Sequence, residues 1–404
     1  MEKNVFRLGT VCSKIGSGAT PTGGKEAYQG GGYKLIRSQN VVDLRFAYDG
    51  LAEINEKQAA KLNNVKVEEK DVLLNITGDS VARCCLAPID ILPARVNQHV
   101  AIIRPKAEIL NPYYLLFWLI VNKQYLLALA ATGATRNGLT KAMISGLVLE
   151  CPSLEKQNRI ASILSTYDTL IENNTKRIRL LEKMAENLYK EWFVRFPGHE
   201  NVEMENGLPK GWKYYRIEEL CDINRETIKA ANAPKDILYL DTGSITRGEI
   251  SDVETITFVD APSRARRMVR NNSIIYSTVR PNLQHYGILK NPPSNLLVST
   301  GFAVLDCKED IANIVYLALS HPSVYKYCSL IADCAVATYP SIKPKEIGKI
   351  CIALPKISIC KKWNEKIERY YKMIDSLRQQ NSLLARQRDL LLPRLMSGKL
   401  EVKM

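Results

Sequence analysis

Four features of the chain carry residue types that could do chemistry, and each falls short of the spacing that catalysis requires. Gly18-Ala19-Thr20-Pro21-Thr22-Gly23-Gly24-Lys25-Glu26 has the glycines and the lysine of a phosphate-binding loop. It has one residue too many before Lys25, and Glu26 stands where Ser or Thr must hold magnesium, so it reads as a turn-rich loop. Asn291-Pro292-Pro293-Ser294 resembles the Asn-Pro-Pro-aromatic loop that grips an exocyclic amine during methyl transfer. The aromatic that stacks on a flipped base is missing and no glycine-rich cofactor loop precedes it, which leaves a Pro-Pro surface turn. The histidines His99, His199, His285 and His321 are dispersed, with no His-x-x-x-His pair or matched carboxylates for metal or acid–base work. The ten cysteines make no Cys-x-x-Cys pair; Cys84 and Cys85 are adjacent, and Cys328 and Cys334 lie six apart. That pattern predicts reduced, mostly buried thiols of a cytoplasmic chain rather than a zinc site or a disulfide framework. No constellation for catalysis emerges.

The loops do carry the chemistry of binding a polyanion. Lys+Arg 56 against Asp+Glu 42 gives a net charge of +14, which favours such a partner, although many soluble proteins share that balance. Arg, Lys, Gln, Asn, Ser and Thr recur at turn positions, the residue types that bond phosphates and base edges. In the first half the candidates are Lys14, Ser17, Thr20 and Thr22, then Arg37, Ser38, Gln39 and Asn40, then Thr77 and Asp79, then Arg136 and Asn137. In the second half they are Arg264, Arg266 and Arg267, then Thr278, Arg280 and Asn282, and Tyr339. Any one of them alone reads equally well as a solvated loop residue or a turn former.

Two long helices must position these loops. From Ser153 to Phe196 apolar residues recur at alternating steps of four and three: Ile160, Leu164, Tyr167, Ile171, Asn174, Ile178, Leu181, Ala185, Leu188, Trp192. This is a coiled-coil seam. Ser153 after Pro152 can cap it and Phe196-Pro197-Gly198 stops it, giving a rod of roughly 60 Å. From Trp363 the rhythm returns through Ile367, Tyr370, Ile374, Leu377, Asn381, Leu384, Arg388 and Leu391, until Pro393 breaks or kinks it and Ser397-Gly398 ends it. Each seam holds one Asn, and antiparallel pairing about the midpoints brings Asn174 and Asn381 close, a device that sets register. The alternative is that each helix docks separately on its own domain.

The globular segments repeat. Ser273 to Thr278 stands where Asp71 to Ile76 stood, Ser299 to Val304 echoes Asn97 to Ile102, and Leu354-Pro355 matches Cys151-Pro152, at an offset of about 203. The expected fold is α+β: two tandemly duplicated α/β globular domains with two long helices that pair as an antiparallel coiled coil. The expected segments are 1–152, the helix 153–196, a linker 197–211, a second domain 212–356 and a helix 357–404. The N-terminus has no signal peptide, and the apolar run Tyr113 to Ala131, interrupted by Asn122-Lys123-Gln124, reads as a core helix and not a membrane span. Diverged loops on a duplicated body suggest two readers of two different things.

Several motifs together resemble the specificity subunit of type I restriction–modification systems. They are Ile15-Gly16-Ser17-Gly18-Ala19-Thr20-Pro21, Ile36-Arg37-Ser38-Gln39-Asn40-Val41 and Val96-Asn97-Gln98-His99-Val100. To these add Cys151-Pro152 leading to Gln157-Asn158-Arg159-Ile160-Ala161, Gly207-Leu208-Pro209-Lys210-Gly211-Trp212, and Leu391 to Leu400. The second half departs by lacking a clear counterpart of the Gly16-to-Pro21 loop, with Cys221-Asp222-Ile223-Asn224-Arg225 in its place. The resemblance implies a non-catalytic cytoplasmic subunit whose two target-recognition domains read the halves of a split double-stranded DNA sequence. It also implies that the coiled coil sets the gap and docks two methyltransferase subunits that methylate adenine at N6, joined by restriction–translocase subunits. S-adenosylmethionine, ATP and magnesium are then expected on those partners and none on this chain. Two rival classes stay open: a stand-alone, repressor-like two-headed DNA-binding protein, and a methyltransferase with a fused reader.

Overall fold

The computed structural model describes residues 4–21, 28, 30–131, 138–195, 203–205, 207–334 and 340–402. The chain divides into two compact units, Met1–Asn174 with Gln380–Met404, and Thr175–Gln379. Both boundaries fall inside the long helices.

In the first unit, strand Asn4–Arg7 pairs antiparallel with Val148–Cys151, Asn4 facing Cys151. A four-stranded sheet follows in the order Cys12–Ser17, Val100–Pro105, Val72–Asn75, Cys84–Leu86. Side chains alternate along a strand, so each face collects every second residue. Val72, Leu74, Ala101 and Ile103 enter one apolar cluster together with the helix Pro112–Val121. Leu73, Val100 and Ile102 enter another, shared with a three-stranded sheet of Ala52–Ile54, Tyr33–Ile36 and Ala94–Val96. The result is helices on sheet on sheet. The apolar run that predicts one core helix is two, Pro112–Val121 and Lys123–Ala131, bent by 66°. The break is at Asn122, whose Nδ2 donates to the Trp118 carbonyl at 2.8 Å, an amide competing with the backbone for the last turn. Among the described residues no single helix is long and apolar enough to cross a membrane.

The second unit repeats this order. Lys213–Arg216 pairs with Cys351–Leu354, and the four-stranded sheet runs Cys221–Ile223, Phe302–Cys307, Ile274–Ser277, Tyr286–Ile288. Ile274, Tyr276, Ala303 and Leu305 face one cluster, and Ile275, Phe302 and Val304 face the other. Strand Cys221–Ile223 thus holds the sheet position of Cys12–Ser17, the place where the sequence shows no match. The outer sheet has one strand more than in the first unit, in the order Glu254–Thr257, Asp236–Leu240, Leu296–Ser299, Ala265–Met268.

The first long helix runs Leu154–Tyr189 and ends in a π-helical turn, Lys190–Val194. The Ser153 carbonyl accepts from Gln157 N at 3.0 Å, as a cap does. The expected stop at Phe196-Pro197-Gly198 lies outside the described residues. The second long helix, Ile357–Ser397, passes through Pro393 instead of breaking there. Proline forfeits one backbone bond, and only the last turn lies beyond it before Gly398, at φ +78°, closes the helix.

Within each unit the helices run antiparallel. In the first, Arg388 meets Asp168 at 2.5 Å and Asn174 Nδ2 reaches Gln380 Oε1, next to Asn381, at 3.5 Å. In the second, Arg378 meets Glu182 at 2.9 Å and Trp192 packs against Trp363 with centroids 4.1 Å apart and the rings tilted by 37°. The seam positions Ile160, Leu164, Ile178, Leu181, Ala185, Ile367, Ile374 and Leu377 are buried. Beyond Ala185 the expected seam is wrong: Tyr189 and Phe193 are buried, and Trp192 is 39% exposed. A straight helix drifts against a 3.5-residue repeat, and the π turn adds to the drift.

Buried amides fasten each long helix to the start of a shorter apolar helix, Pro112–Val121 in the first unit and Ala312–Leu319 in the second. Gln157 Oε1 accepts from Asn111 N at 3.0 Å, and its Nε2 donates to the carbonyls of Pro152 and Ile109. In the second unit the same task falls one turn later, to Asn364, whose Oδ1 accepts from Asn313 N at 3.0 Å. Lys290 joins there, donating to Asn272, Asn313 and Glu368 at 2.6–2.8 Å. Burial pushes its pKa down while Glu368 pulls it back.

Candidate nucleic-acid interface

In the first unit three loops meet through a polar chain. Thr20 donates to Gln98 Oε1, Gln98 Nε2 lies 3.1 Å from His99 Nε2, and His99 Nδ1 lies 2.5 Å from Thr77 Oγ1. Thr77 in turn faces Gly138 across an isolated bridge. Ser17 sits opposite Ala101 at the end of its strand, Asp79 is exposed, and Lys14 Nζ donates to the Asn64 carbonyl. Thr22, Arg136 and Asn137 lie outside the described residues, as does Tyr339 of the second unit. His99, set aside in the sequence as a dispersed histidine, is the hinge of this chain. Its only sequence signal is its place in Asn97-Gln98-His99, at a strand entrance that the repeat marks.

The Arg37-Ser38-Gln39-Asn40 turn does different work. Asn40 is fully buried and its Nδ2 donates to the carbonyls of Ala47 and Asp49, which corrects its assignment as a base-contact candidate. A short amide in the interior must satisfy its own hydrogen bonds, and here it closes the loop that follows. Arg37 Nη2 and Gln39 Nε2 converge on the Gly50 carbonyl at 2.6 and 3.1 Å, with Arg37 over the Tyr28 ring. The Ser38 carbonyl accepts from Asn75 Nδ2 at 2.9 Å. The equivalent 3-10 turn in the second unit is Thr242–Ser244, with Asp241 in the place of Arg37. The hairpin after each turn differs as sharply: its tip is Asp43-Leu44 in one unit and Arg247-Gly248 in the other.

The second unit's arginines separate by their partners. Arg264 donates to Tyr239 Oη at 3.1 Å and lies 3.3 Å from Asp241, so its charge is answered within the protein. Arg266 lies over the Phe258 ring at 4.5 Å and donates to the Ala265 carbonyl. Arg267 Nη1 donates to the neutral Thr227 Oγ1 at 3.1 Å, its Nε is buried without an acceptor, and burial pushes its pKa down. Among the described residues no carboxylate lies in ion-pair range of Arg266 or Arg267. Thr278 Oγ1 donates to the Gly301 carbonyl at 2.8 Å, and Asn282 is exposed. Arg280, Gln284 and Arg247 all adopt left-handed backbone, with φ of +48°, +58° and +48°. Arg247 Nε donates to Gln284 Oε1 at 2.7 Å, a pair that the sequence did not single out. Left-handed backbone at non-glycine residues is costly and concentrates where function requires it. No group of three or more His, Cys, Asp or Glu suited to a metal occurs among the described residues.

A family model described as "Type I restriction modification DNA specificity domain" matches residues 1–183. The type I restriction enzyme MjaIX specificity subunit of Methanocaldococcus jannaschii is 25% identical, over 96% of this chain and 92% of that one. The HindI specificity subunit of Haemophilus influenzae is 22% identical, over 91% and 94%. The crystal structure of the type I restriction–modification S subunit from M. genitalium aligns over 98% of this chain and 96% of its own with a TM-score of 0.58 at 15% identity, a likeness of fold. Residues 1–183 thus match the DNA specificity domain of type I restriction–modification systems, and the chain is similar nearly end to end to specificity subunits of those systems.

Proposed function

We propose that each unit reads one half of a split double-stranded DNA target, and that the paired helices set the gap between the halves. The observation that carries this reading is a repeated body with opposite chemistry at equivalent loop positions: Arg37 against Asp241, and Asp43 against Arg247. Equivalent sheets bring the loops to equivalent places, and unlike loops select unlike bases. Arg266 and Arg267, without carboxylate partners, suit backbone phosphates. The Thr20–Gln98–His99–Thr77 chain and the Arg247–Gln284 pair suit base edges. The helix pair also serves as the dock for two adenine-N6 methyltransferase subunits and for restriction–translocase subunits. S-adenosylmethionine, ATP and magnesium act on those partners, and this chain supplies sequence selection.

The test is methylome sequencing of a host without other methylases, expressing the chain with and without its cognate methyltransferase. A split motif methylated on adenine in both halves, and only when both chains are present, is expected. DNA binding by the lone chain with no new methylation in either case would instead indicate a stand-alone binding protein.

A further inference from the structure

Cys221 and Cys307 face each other on the neighbouring strands Cys221–Ile223 and Phe302–Cys307, Sγ to Sγ 3.3 Å. Their register decides what this proximity can do. Lys308 N donates to the Leu220 carbonyl at 2.9 Å, which makes the flanking residues a hydrogen-bonded pair and leaves the two cysteines a non-hydrogen-bonded one. In such pairs Cα atoms approach to about 4.5 Å and side chains are closest. That separation lies at the near end of the range a disulfide accepts, about 4.4–6.8 Å. To reach a bond of about 2.05 Å the sulfurs close by little more than about 1 Å. Glu218, Asp222, Arg225, Pro344 and Lys345 line an open groove that reaches Cys221. Cys307 is the more exposed of the two thiols. In the first unit the equivalent Cys12 faces Pro105, so the pair belongs to one unit alone.

We propose that Cys221 and Cys307 form a dithiol modification site that hydrogen peroxide closes to a disulfide. The Cys307 sulfur attacks one peroxide oxygen, the O–O bond breaks, a sulfenic acid forms and one water leaves. The Cys221 sulfur then attacks the Cys307 sulfur, the S–S bond forms, the S–O bond breaks, and a second water carries off the remaining thiol proton. Two thiols give up two electrons and one peroxide becomes two waters. The hydrogen bond with Cys221, then burial, push the Cys307 thiol up, so closure is slow at neutral pH and quickens as pH rises. The disulfide encloses residues 222–306, including the hairpin Ile245–Ile250 and the strand Ala265–Met268. It would fasten the second unit against unfolding and leave the first untouched. The site stands independently of the DNA-reading proposal.

The full chain, treated with hydrogen peroxide at mildly alkaline pH, alkylated, digested and mass-analysed, tests this directly. A linked peptide pair containing Cys221 and Cys307, lighter by two hydrogens and released by dithiothreitol, is expected. A rise of several degrees in the thermal midpoint of the second unit should accompany it, absent in Cys307→Ser and retained in Cys12→Ser. Quantitative alkylation of both cysteines while others oxidise, or linkage of either to a different cysteine, overturns the proposal without recourse to any variant.

Discussion

Arg388 Nη1 lies 2.5 Å from Asp168 Oδ1 between the two long helices, with only 13% and 23% of the side chains exposed. Burial pushes Asp168 above the ordinary carboxylate range, and Arg388 pulls it part of the way back. Removing one partner of a half-buried pair costs more than removing both. Arg388→Leu is therefore expected to destabilise the first unit by about 3 kcal/mol, and Asp168→Asn added to it to recover most of that loss. Denaturant midpoints check both. The pH arm follows from the sign. A carboxyl with a raised folded pKa adds stability below its unfolded value and loses it as pH rises through the folded one. The deficit of Arg388→Leu relative to the native chain should thus shrink from neutral pH toward about pH 4. A deficit that stayed constant would contradict it.

Gln157 has 1% of its surface exposed and holds three backbone groups, one donor and two acceptors. Gln157→Ala strands all three in the interior. A loss of roughly 2–4 kcal/mol is expected, larger than for a surface glutamine. Gln157→Glu, which turns a second oxygen toward the two carbonyls, should cost more at neutral pH than at acid pH, where a protonated carboxyl can donate to one of them. Thermal unfolding of the purified chain would settle it.

Arg267 and Arg264 offer a contrast within four residues. Arg267→Gln should weaken DNA binding alike on all sequences and lower the slope of log affinity against log salt by about one. Arg264→Gln should instead cost stability, because it empties the contacts with Tyr239 and Asp241. Fluorescence anisotropy over a salt series with the assembled complex measures the first. An unchanged slope for Arg267→Gln would mean that its charge never meets a phosphate.

The gap between half-sites should follow the rod. Seven residues added to each helix, after Asn174 and before Gln380, extend the pair by about 10 Å. That is about three base pairs at 3.4 Å each. Methylated motifs should show a gap longer by about that amount with both halves unchanged. An unaltered gap would detach spacing from the helices.

The seam from Ile160 to Ala185 was legible because burial on one face forces a heptad, and a heptad is visible in any chain. Its loss at Tyr189 was not, since the drift of a straight helix against a 3.5-residue repeat leaves no fixed residue type behind. The repeat was legible in apolar strands such as Val72–Asn75 and Ile274–Ser277, whose alternation must serve two cores. At Arg37 and Asp241 the backbone turn is kept while every side chain changes, so sequence could not align them. Asn40 misled for a related reason. Polar residues that close loops inward and those that face a ligand are the same types, and only burial tells them apart.

The first unit is discontinuous in the chain, Met1–Asn174 with Gln380–Met404, whereas the second is a single stretch, Thr175–Gln379. Leu392 and Leu395, almost at the end, belong to the apolar cluster of the first unit, beside Ile160 and Leu164. During synthesis that core stays open until Leu392 and Leu395 have left the ribosome, after the whole of Thr175–Gln379. The unit encoded second is thus the one that can finish folding first.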